Sequence, residues 1–296
     1  MITPVAAITL EYRGPLRTIA CVVSLLAEGV SRVMIFDNSD DDGASAGTLR
    51  TAFDGDARVR IVGGNRNLGF AAGVNEAIAL LRDEGWKGRV LLVNNDAVVE
   101  AGALGALGRA LDNHPDVAMV YPRIFQGGKF QSLVRYHPAT GRLSQGSLQG
   151  GMPYASGCCL LLAVAEVKAD LFDETFFMYG EDVELSARLR REGRRVMQVL
   201  DAVVVHEGSG GSGFNTLFYE THTVAAHVIL AWRLAETPAR LVLHVSGRLV
   251  FLPLRAMLRA MRYRSWIPLR GLVDGVRIGR AALRARAKTP ADHAPR

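Results

Sequence analysis

The chain has 296 residues, of which 49% are hydrophobic and 22% are charged. These values exclude a disordered or collagen-like protein, and the length allows one large domain with an appendage. The formal net charge of +6 is unevenly distributed, because residues 228–296 carry 14 Lys or Arg and only 3 Asp or Glu. A basic end on a mildly acidic body predicts an anionic partner for that end.

The first half of the chain alternates between short apolar runs and segments with helical spacing. Strands are predicted at 5–10, 31–36, 58–62 and 88–93, with helices at 16–28 and 69–82. This alternation predicts an α/β fold with a mostly parallel central sheet flanked by helices. Ligands bind beyond the carboxyl ends of the strands in such sheets, and the polar segments 37–43 and 94–96 fall at those ends.

The middle of the chain is less regular. Residues 126–153 are rich in Gly, Gln and Ser and are expected to form a long loop or flap. A buried strand is predicted at 155–164, an amphipathic helix at 181–192 and another strand at 195–205. The Gly- and Ser-rich segment 206–213 follows and is expected to be mobile.

From about residue 231 the chain is both basic and apolar. Arginines at 248, 255, 259 and 262 stand among Leu, Val, Phe and Met, and Pro253 and Pro268 are expected to break the segment into short helical pieces. We therefore divide the chain into a globular domain, residues 1–230, and a basic helical tail, residues 231–296.

The composition of the tail predicts its partner. A basic amphipathic helix is typical of segments that lie on an anionic membrane surface. A packed helical subdomain with solvated arginines is the alternative. Nucleic acid is not predicted, because Phe251, Tyr263 and Trp266 are not interleaved as a platform for stacking bases.

The content of cysteines bears on the compartment. Three cysteines are too few for a disulfide framework, and none forms a CxxC pair. A reducing cytoplasm is the compartment that this pattern favours. The N-terminal segment lacks the features of a signal peptide, and no uncharged apolar run reaches the about 18 residues that cross a bilayer. We therefore expect a cytoplasmic protein that is peripheral to a membrane.

Polar residues at predicted strand ends are candidates for ligand binding. Asp37 is placed to accept a hydrogen bond from a base or a ribose, or to cap a turn. The segment 65–75 opens a helix with small residues, whose backbone N–H groups suit a phosphate, although close packing at Gly69 and Gly73 explains it equally. Asp96 is placed to hold Mg²⁺ or Mn²⁺ on a diphosphate, or to cap a helix.

Two further sites carry ionisable groups. Glu181 and Asp182 open a predicted helix behind the aromatic residues of 172–179. The helix N-terminus stabilises their charged forms, whereas apolar neighbours raise the pKa of a carboxyl group and favour a general base. Simple helix capping is the alternative. His206 ends a predicted strand and is either a metal ligand or a structural histidine.

Taken in order, six segments resemble the motifs of inverting family 2 glycosyltransferases of GT-A fold. The resemblance is greatest to the rhamnosyltransferase-like branch that builds bacterial surface polysaccharides. The segments are DNSDDDGA (37–44), NRNLGFAAGVNEAI (65–78), LLVNNDAVV (91–99), ASGCCLLL (155–162), FDETFFMYGEDVELSARLRREG (172–193) and VVHEGSGGS (204–212). Each motif alone is weak, but six in order over about residues 5–213 are specific.

The resemblance implies a role for each matching residue. Asp182 would be the catalytic base that deprotonates the acceptor hydroxyl, with Glu181 as its supporting neighbour. Asp96 and His206 would bind the Mg²⁺ or Mn²⁺ on the donor's diphosphate. The donor's nucleotide would be bound by the strand-end and loop residues Thr9, Glu11, Asp37, Asn67, Gly69 and Asn95.

The resemblance also implies the reaction. It is a metal-dependent inverting transfer of a sugar, with rhamnose suggested by the branch, from a dTDP- or UDP-linked donor to a hydroxyl of a growing, lipid-linked cell-surface glycan. The tail would hold the enzyme at the inner face of the bacterial plasma membrane.

Two departures from the family pattern keep other functions open. LEYR at positions 10–13 replaces the usual aromatic residue and Asn, and Asn94 replaces the first Asp of the DxD-type motif. A catalytically silent relative that binds glycan or lipid as a scaffold is the second hypothesis. A nucleotidyltransferase is the third, but Tyr12-Arg13-Gly14 is a poor candidate for its triphosphate loop.

Overall fold

The computed structural model describes residues 3–64, 66–131, 133–208 and 215–288. Its strands are β1 (Val5–Glu11), β2 (Arg32–Asp37), β3 (Val59–Gly63), β4 (Arg89–Val93), β5 (Ala97–Val99), β6 (Val117–Gln126), β7 (Lys129–Phe130), β8 (Val134–Tyr136), β9 (Leu143–Gln145), β10 (Met152–Pro153), β11 (Cys159–Leu162) and β12 (Arg195–His206). Its helices are α1 (Pro15–Ala27), α2 (Ala44–Ala52), α3 (Phe70–Asp83), α4 (Ala103–Asn113), α5 (Glu181–Arg191), α6 (Leu217–Arg233), α7 (Pro238–Tyr263) and α8 (Ile267–Lys288).

The central sheet is mixed, with four parallel and four antiparallel strand pairings among the described residues. Over the described residues it has nine strands, in the order β3-β2-β1-β4-β11-β6-β12-β5, with β7 paired to β6. Strands β1 to β4, β6 and β12 run in one direction, and β5, β7 and β11 run in the other. This confirms the predicted α/β class. The carboxyl ends of β1, β2, β4 and β12 therefore lie along one edge of the sheet.

Helices cover both faces of this sheet, and the core lies in two layers. On one face α1 contributes Cys21, Val22 and Leu25 to a cluster shared with α4. On the other face α3 contributes residues at helical spacing, including Val74 and Ile78. Every residue of β4 is buried, as expected for a strand covered on both sides.

The expected loop at 126–153 contains more order than its composition indicates. Strands β10, β8 and β9 form a small antiparallel sheet within it. Tyr136 anchors this sheet, because its side chain is fully buried and its hydroxyl lies 2.9 Å from Nδ1 of His227. The strands have only two or three residues, which is too short to produce a visible period in the sequence.

The tail folds as helices, but its first expected break is wrong. Pro253 lies inside α7, whose 26 residues form one helix. An internal proline costs a helix about 3 kcal/mol; the buried neighbours Leu252 and Ala256 pack this part of α7 against the protein and offset that cost. Pro268 does mark a break, because it is the second residue of α8, where a proline is tolerated.

Helices α6 and α8 pack closely along a stripe of glycines. A Cβ atom added at Gly271 would lie 2.4 Å from Cβ of Glu220, and one added at Gly275 would lie 2.5 Å from the carbonyl oxygen of Thr221. Only glycine allows the two backbones to approach so closely. Helix α6 itself crosses residue 230 and joins the sheet domain to α7 and α8.

Three arginines in the middle of α7, at 248, 255 and 259, point inward, and this corrects the expected orientation of the tail. Arg248 is buried and donates to the Pro138 carbonyl and, at 2.8 Å, to the Tyr136 hydroxyl. Arg255 and Arg259 hold the fully buried carboxylate of Glu220 at 2.9 and 2.6 Å. A buried charge is tolerated only with such partners, so these arginines fix α7 to the protein.

The opposite face of α7 is apolar and exposed. Between residues 241 and 261 the exposed positions hold no charged side chain: they are Val242, Leu243, Ser246, Leu249, Val250, Phe251, Leu254, Met257, Leu258 and Met261. The most apolar 18 residues of α7 have a mean hydropathy of 1.5 and are only 22% buried. By length and composition alone α7 is therefore long and apolar enough to cross a membrane. The sequence did not predict such a helix, because arginines interrupt its apolar residues.

Candidate active site

Glu11 and Asp37 lie side by side at the carboxyl ends of β1 and β2. Glu11 is fully buried and accepts from the backbone N–H of Gly14 at 2.5 Å and from the hydroxyl of Thr18. Asn95 donates to the same hydroxyl oxygen at 3.0 Å and to Oε2 of Glu11 at 3.4 Å. Glu11 thus joins the start of α1 to the segment after β4 through buried hydrogen bonds.

Asp37 has an unused acceptor atom. Its Oδ1 accepts from the backbone N–H of Ser39 at 3.0 Å, whereas its Oδ2 is buried and has no hydrogen-bond partner among the described residues. A buried carboxylate oxygen without a donor is costly, and a ligand N–H or O–H would satisfy it. Thr9, also predicted to bind nucleotide, is fully buried on β1, two residues before Glu11.

The loop before α3 is held by a residue that the sequence reasoning did not select. Asn38 accepts from the backbone N–H of Leu68 at 2.8 Å and donates to the carbonyl oxygen of Gly69 at 3.0 Å. Asn67 then accepts from the N–H of Gly69 at 2.8 Å. The position of Asn38 directly after Asp37, in a predicted strand-end turn, was the available signal.

Gly69 is required by a close approach to a second chain segment. Its φ is +81°, and an added Cβ atom would lie 2.4 Å from the carbonyl oxygen of Phe177. The next residue, Phe70, donates its N–H to that same oxygen at 2.7 Å. The predicted nucleotide loop therefore packs against the aromatic segment that leads to Glu181 and Asp182.

Asp96 and His206, the two predicted metal ligands, are in contact. Their Oδ1 and Nε2 atoms lie 3.0 Å apart, and the two side chains are 12% and 15% exposed. Pairing of β5 with β12 places His206 opposite Ala97 and produces this contact. Burial opposes ionisation of Asp96, but the hydrogen bond and charge of His206 outweigh it and lower the pKa of the carboxyl group.

This donor set fits a divalent cation. A carboxylate oxygen and an imidazole nitrogen suit Mn²⁺, and Mg²⁺ commonly takes one or two protein carboxylates together with substrate phosphates. The described part of the chain contains no group of three or more His, Cys, Asp or Glu that would hold a metal. An ion at Asp96 and His206 would therefore complete its shell with diphosphate and water.

Glu181 and Asp182 open α5 after Gly180, whose φ is +85°. Asp182 accepts from its neighbour Val183 at 2.8 Å and from the backbone N–H of Gly157 at 3.1 Å. Burial raises the pKa of Asp182 to about 6 despite these hydrogen bonds. Burial, and then the charge of Asp182, raise the pKa of Glu181 further, and its Oε2 has no partner within the described residues.

The two halves of the site are joined through two consecutive residues. Gly157 donates to Asp182, and the carbonyl oxygen of Cys158 accepts from the N–H of Asn94 at 2.9 Å. The segment before β11 thus connects the 94–96 turn to the start of α5. The segment belongs to a predicted motif, ASGCCLLL (155–162), but the sequence predicted no role for Gly157. Asn65 and residues 209–214, which include most of the expected mobile loop, lie outside the described residues.

Comparison with known families identifies the chain. The family model described as "Glycosyltransferase like family 2" matches residues 16–233. The chain belongs to this family. It is a family 2 glycosyltransferase, as the six motifs predicted.

Two curated relatives from Mycobacterium tuberculosis, strains CDC 1551 and H37Rv, are 29% identical to this glycosyltransferase over 267 residues. Both are named N-acetylglucosaminyl-diphospho-decaprenol L-rhamnosyltransferase, and the match covers 78% of this chain and 85% of theirs. The predicted likeness to rhamnosyltransferases is therefore confirmed.

Two solved structures show the same fold at low sequence identity. GalNAc-T7 with UDP, GalNAc and Mn²⁺ has a TM-score of 0.59 at 10% identity; the likeness covers 78% of this chain and about half, 48%, of that one. S. aureus TarS 1-349 has a TM-score of 0.54 at 11% identity. The likeness covers 95% of this chain and 92% of TarS 1-349. Both confirm the predicted GT-A type fold.

Proposed function

We propose that this enzyme transfers rhamnose, with inversion, from a nucleotide diphosphate sugar to a hydroxyl of a lipid-linked cell-surface glycan. The observation that carries the proposal is the half-buried carboxylate of Asp182, which the 157–158 segment ties to the Asp96–His206 pair. The M. tuberculosis relatives, named for rhamnosyl transfer to N-acetylglucosaminyl-diphospho-decaprenol, support the choice of sugar and acceptor.

Asp182 is the catalytic base of the proposed reaction. Its raised pKa of about 6 leaves it ionised at neutral pH but able to take a proton from the acceptor hydroxyl. The hydroxyl oxygen then attacks the anomeric carbon of the donor, the bond to the diphosphate breaks, and the configuration inverts. Glu181 stays protonated at neutral pH because its pKa is higher, so the pair carries one negative charge.

The leaving diphosphate needs positive charge beside it. Asp96 and His206 are the residues that would hold Mg²⁺ or Mn²⁺ there, and GalNAc-T7, of the same fold, was solved with UDP and Mn²⁺. When bound, such a cation neutralises charge that develops on the leaving group.

The dTDP or UDP moiety binds along the edge formed by β1, β2 and the loop before α3. Asp37 offers its unpaired Oδ2 to a base or ribose, and Asn67 and Gly69 form the neighbouring wall. Thr9, Glu11 and Asn95 support this pocket from its buried side. Thr9 and Glu11 have no exposed surface, and Asn95 donates hydrogen bonds to Glu11 and Thr18.

The enzyme works at the inner face of the bacterial plasma membrane, with residues 1–230 as the transferase domain and residues 231–296 as the membrane-associating tail. The uncharged outer face of α7 is the contact with lipid. A contiguous exposed apolar surface of this kind is typical of sites that contact a membrane or another protein. Arg240 before this face, and Arg262 and Arg264 after it, are exposed and suit anionic headgroups.

Release of nucleoside diphosphate tests the proposed reaction. Wild type is incubated with a panel of UDP- and dTDP-linked sugars, Mg²⁺ or Mn²⁺, and N-acetylglucosamine carried on a polyprenyl diphosphate. We expect turnover of one donor, and a loss of about 10²- to 10⁴-fold in Asp182→Asn. Glu192→Gln, at the exposed end of α5, is the matched control and keeps full activity.

The opposite outcome is equally specific. If no donor turns over with this acceptor and no nucleotide binds in a metal-dependent way, the transferase proposal is wrong. A silent glycan- or lipid-binding scaffold would then explain the fold.

A further inference from the structure

A groove of about 660 Å³ lies between the end of α5, the small sheet and the start of α7. It is separate from the strand-end site, and the proposed reaction does not yet use it. The residues that line it include Met152, Arg190, Arg191, Leu234, Arg240 and Leu243.

The groove has an apolar side and a basic side. Met152, Leu234 and Leu243 provide apolar surface, whereas Arg190, Arg191 and Arg240 provide positive charge against a single acidic residue, Glu236. This combination suits an amphiphilic anion rather than a sugar or a purely apolar molecule.

Arg190 is the lining cation that remains available. Arg191 lies 3.6 Å from Glu184, and Arg240 lies 2.5 Å from Glu236. Arg190 has no carboxylate within ion-pair distance in the described part of the chain, and one of the groups whose charge acts on it is another cation, Arg135. Burial, and then the charge of Arg135, lower the pKa of Arg190.

Arg135 does not line the groove but adjoins it, because it binds Gly151, which lies between the lining residues Gly150 and Met152. Arg135 is held in place by a hydrogen bond to the carbonyl oxygen of Gly151 at 3.3 Å, and it pairs with Pro153 across β8 and β10. Guanidinium groups bind phosphate oxygens in a forked, charge-assisted geometry. A diphosphate would satisfy both arginines at once.

The position of the groove relates it to the proposed base. Asp182 and Arg190 are eight residues apart on α5, which corresponds to about 12 Å along the helix axis. From Met152 the chain runs directly to Gly157, which donates to Asp182. This separation along α5 leaves room for one sugar residue between Asp182 and a diphosphate at Arg190.

The other end of the groove opens toward the tail. Leu243 lines the groove and is also 58% exposed on the apolar outer face of α7. Leu234, in the link between α6 and α7, continues the apolar surface inward. An apolar chain leaving the groove here would pass directly onto the surface that we assign to lipid.

We propose that this groove binds the diphosphate and first isoprene units of a prenyl-diphosphate-linked acceptor. Arg190 and Arg135 hold the diphosphate, and Met152, Leu234 and Leu243 contact the prenyl chain. The assignment rests on the proposed transfer to a lipid-linked glycan and names the residues that recognise its carrier.

Acceptor kinetics test this assignment. For N-acetylglucosamine on a polyprenyl diphosphate, we expect KM to rise about tenfold or more in Arg190→Ala and in Arg135→Ala, with partial recovery in Arg190→Lys. For N-acetylglucosamine on an uncharged alkyl chain, KM should be unchanged in all three variants. Arg109→Ala, an exposed arginine on α4, is the matched control.

Direct binding separates this inference from the proposed function. Farnesyl diphosphate is titrated by calorimetry without any sugar donor, with farnesol and inorganic diphosphate as the two partial ligands. Binding of farnesyl diphosphate that is tighter than either partial ligand and weakened in Arg190→Ala supports the site, even if wild type transfers no sugar. Equal affinity of wild type and both alanine variants, with folded circular-dichroism spectra, would overturn it.

Discussion

The backbone N–H of Gly157 donates a hydrogen bond of 3.1 Å to Oδ2 of Asp182. This bond fixes the carboxylate from a direction that side-chain rotation does not change, because the donor belongs to the main chain next to β11. The following residue, Cys158, accepts from the N–H of Asn94. The spacing between Asp182 and the 94–96 turn is thus set by main-chain geometry.

The first prediction concerns the pH profile. Burial raises the pKa of Asp182 to about 6, and a general base acts only when it is deprotonated. We expect log kcat/KM to rise with a slope of one up to about pH 6 and to level off above it. Nucleotide affinity is measured over the same pH range as the control. It should stay constant, because ionisation of the donor's diphosphate would otherwise produce the same curve. A profile flat from pH 5 to 8 would argue against Asp182 as the base.

The second prediction concerns stability. The pKa of Glu181 is higher in the folded protein than in the unfolded chain, chiefly because the group is buried. The folded state therefore holds its proton more strongly, and the protein loses stability as pH rises from the pKa of the unfolded chain toward about 8. Glu181→Gln should thus increase the free energy of unfolding more at pH 8 than at pH 5. Urea titrations at both pH values measure this, with Glu192→Gln as the control.

Strand ends could be predicted from the sequence because each apolar run is followed by a polar residue. This placed Asp37, Asp96 and His206 on one edge of the sheet. The Gly157–Asp182 contact was not predictable, because it joins residues 25 positions apart with no period between them.

The orientation of α7 was also beyond local sequence. Its arginines recur on one face, but the sequence does not show whether that face meets lipid or protein. The deciding partner is Glu220, a fully buried acid on α6 that binds Arg255 and Arg259. Only tertiary packing reveals that pairing.

The third prediction tests the close approach at Gly69. Gly69→Ala would place a Cβ atom 2.4 Å from the Phe177 carbonyl oxygen and should weaken donor nucleotide affinity at least tenfold by displacing the loop. Gly43→Ala is the control for a positive φ without a steric contact, because its φ of +82° is almost the same, its ψ is 12° rather than −179°, and nothing lies within 4 Å of the added atom. Equal losses in both variants would show that φ strain, not the contact with Phe177, is responsible. Calorimetric titration of UDP and dTDP measures the affinity.

The fourth prediction concerns the metal pair. Asp96→Asn and His206→Ala should each abolish the increase in nucleoside diphosphate affinity produced by Mn²⁺, since either change leaves one protein ligand. Affinity without metal should change little. Glu207→Gln provides the control, because this exposed neighbour forms its ion pair with Arg17 instead. A Mn²⁺ effect that survives in both variants would place the ion elsewhere.

The fifth prediction concerns how the tail contacts lipid. Because the arginines at 248, 255 and 259 are bound inside the protein, apolar contact rather than charge should dominate. The double variant Leu249→Glu/Leu258→Glu, which changes two outward residues that are 71% and 58% exposed, should reduce co-sedimentation with neutral phosphatidylcholine vesicles at least tenfold. Leu143→Glu, an equally drastic change at a residue of β9 that is 51% exposed, should leave binding intact. Binding that occurs only on anionic vesicles and disappears in high salt would instead assign the contact to the exposed arginines at the ends of α7.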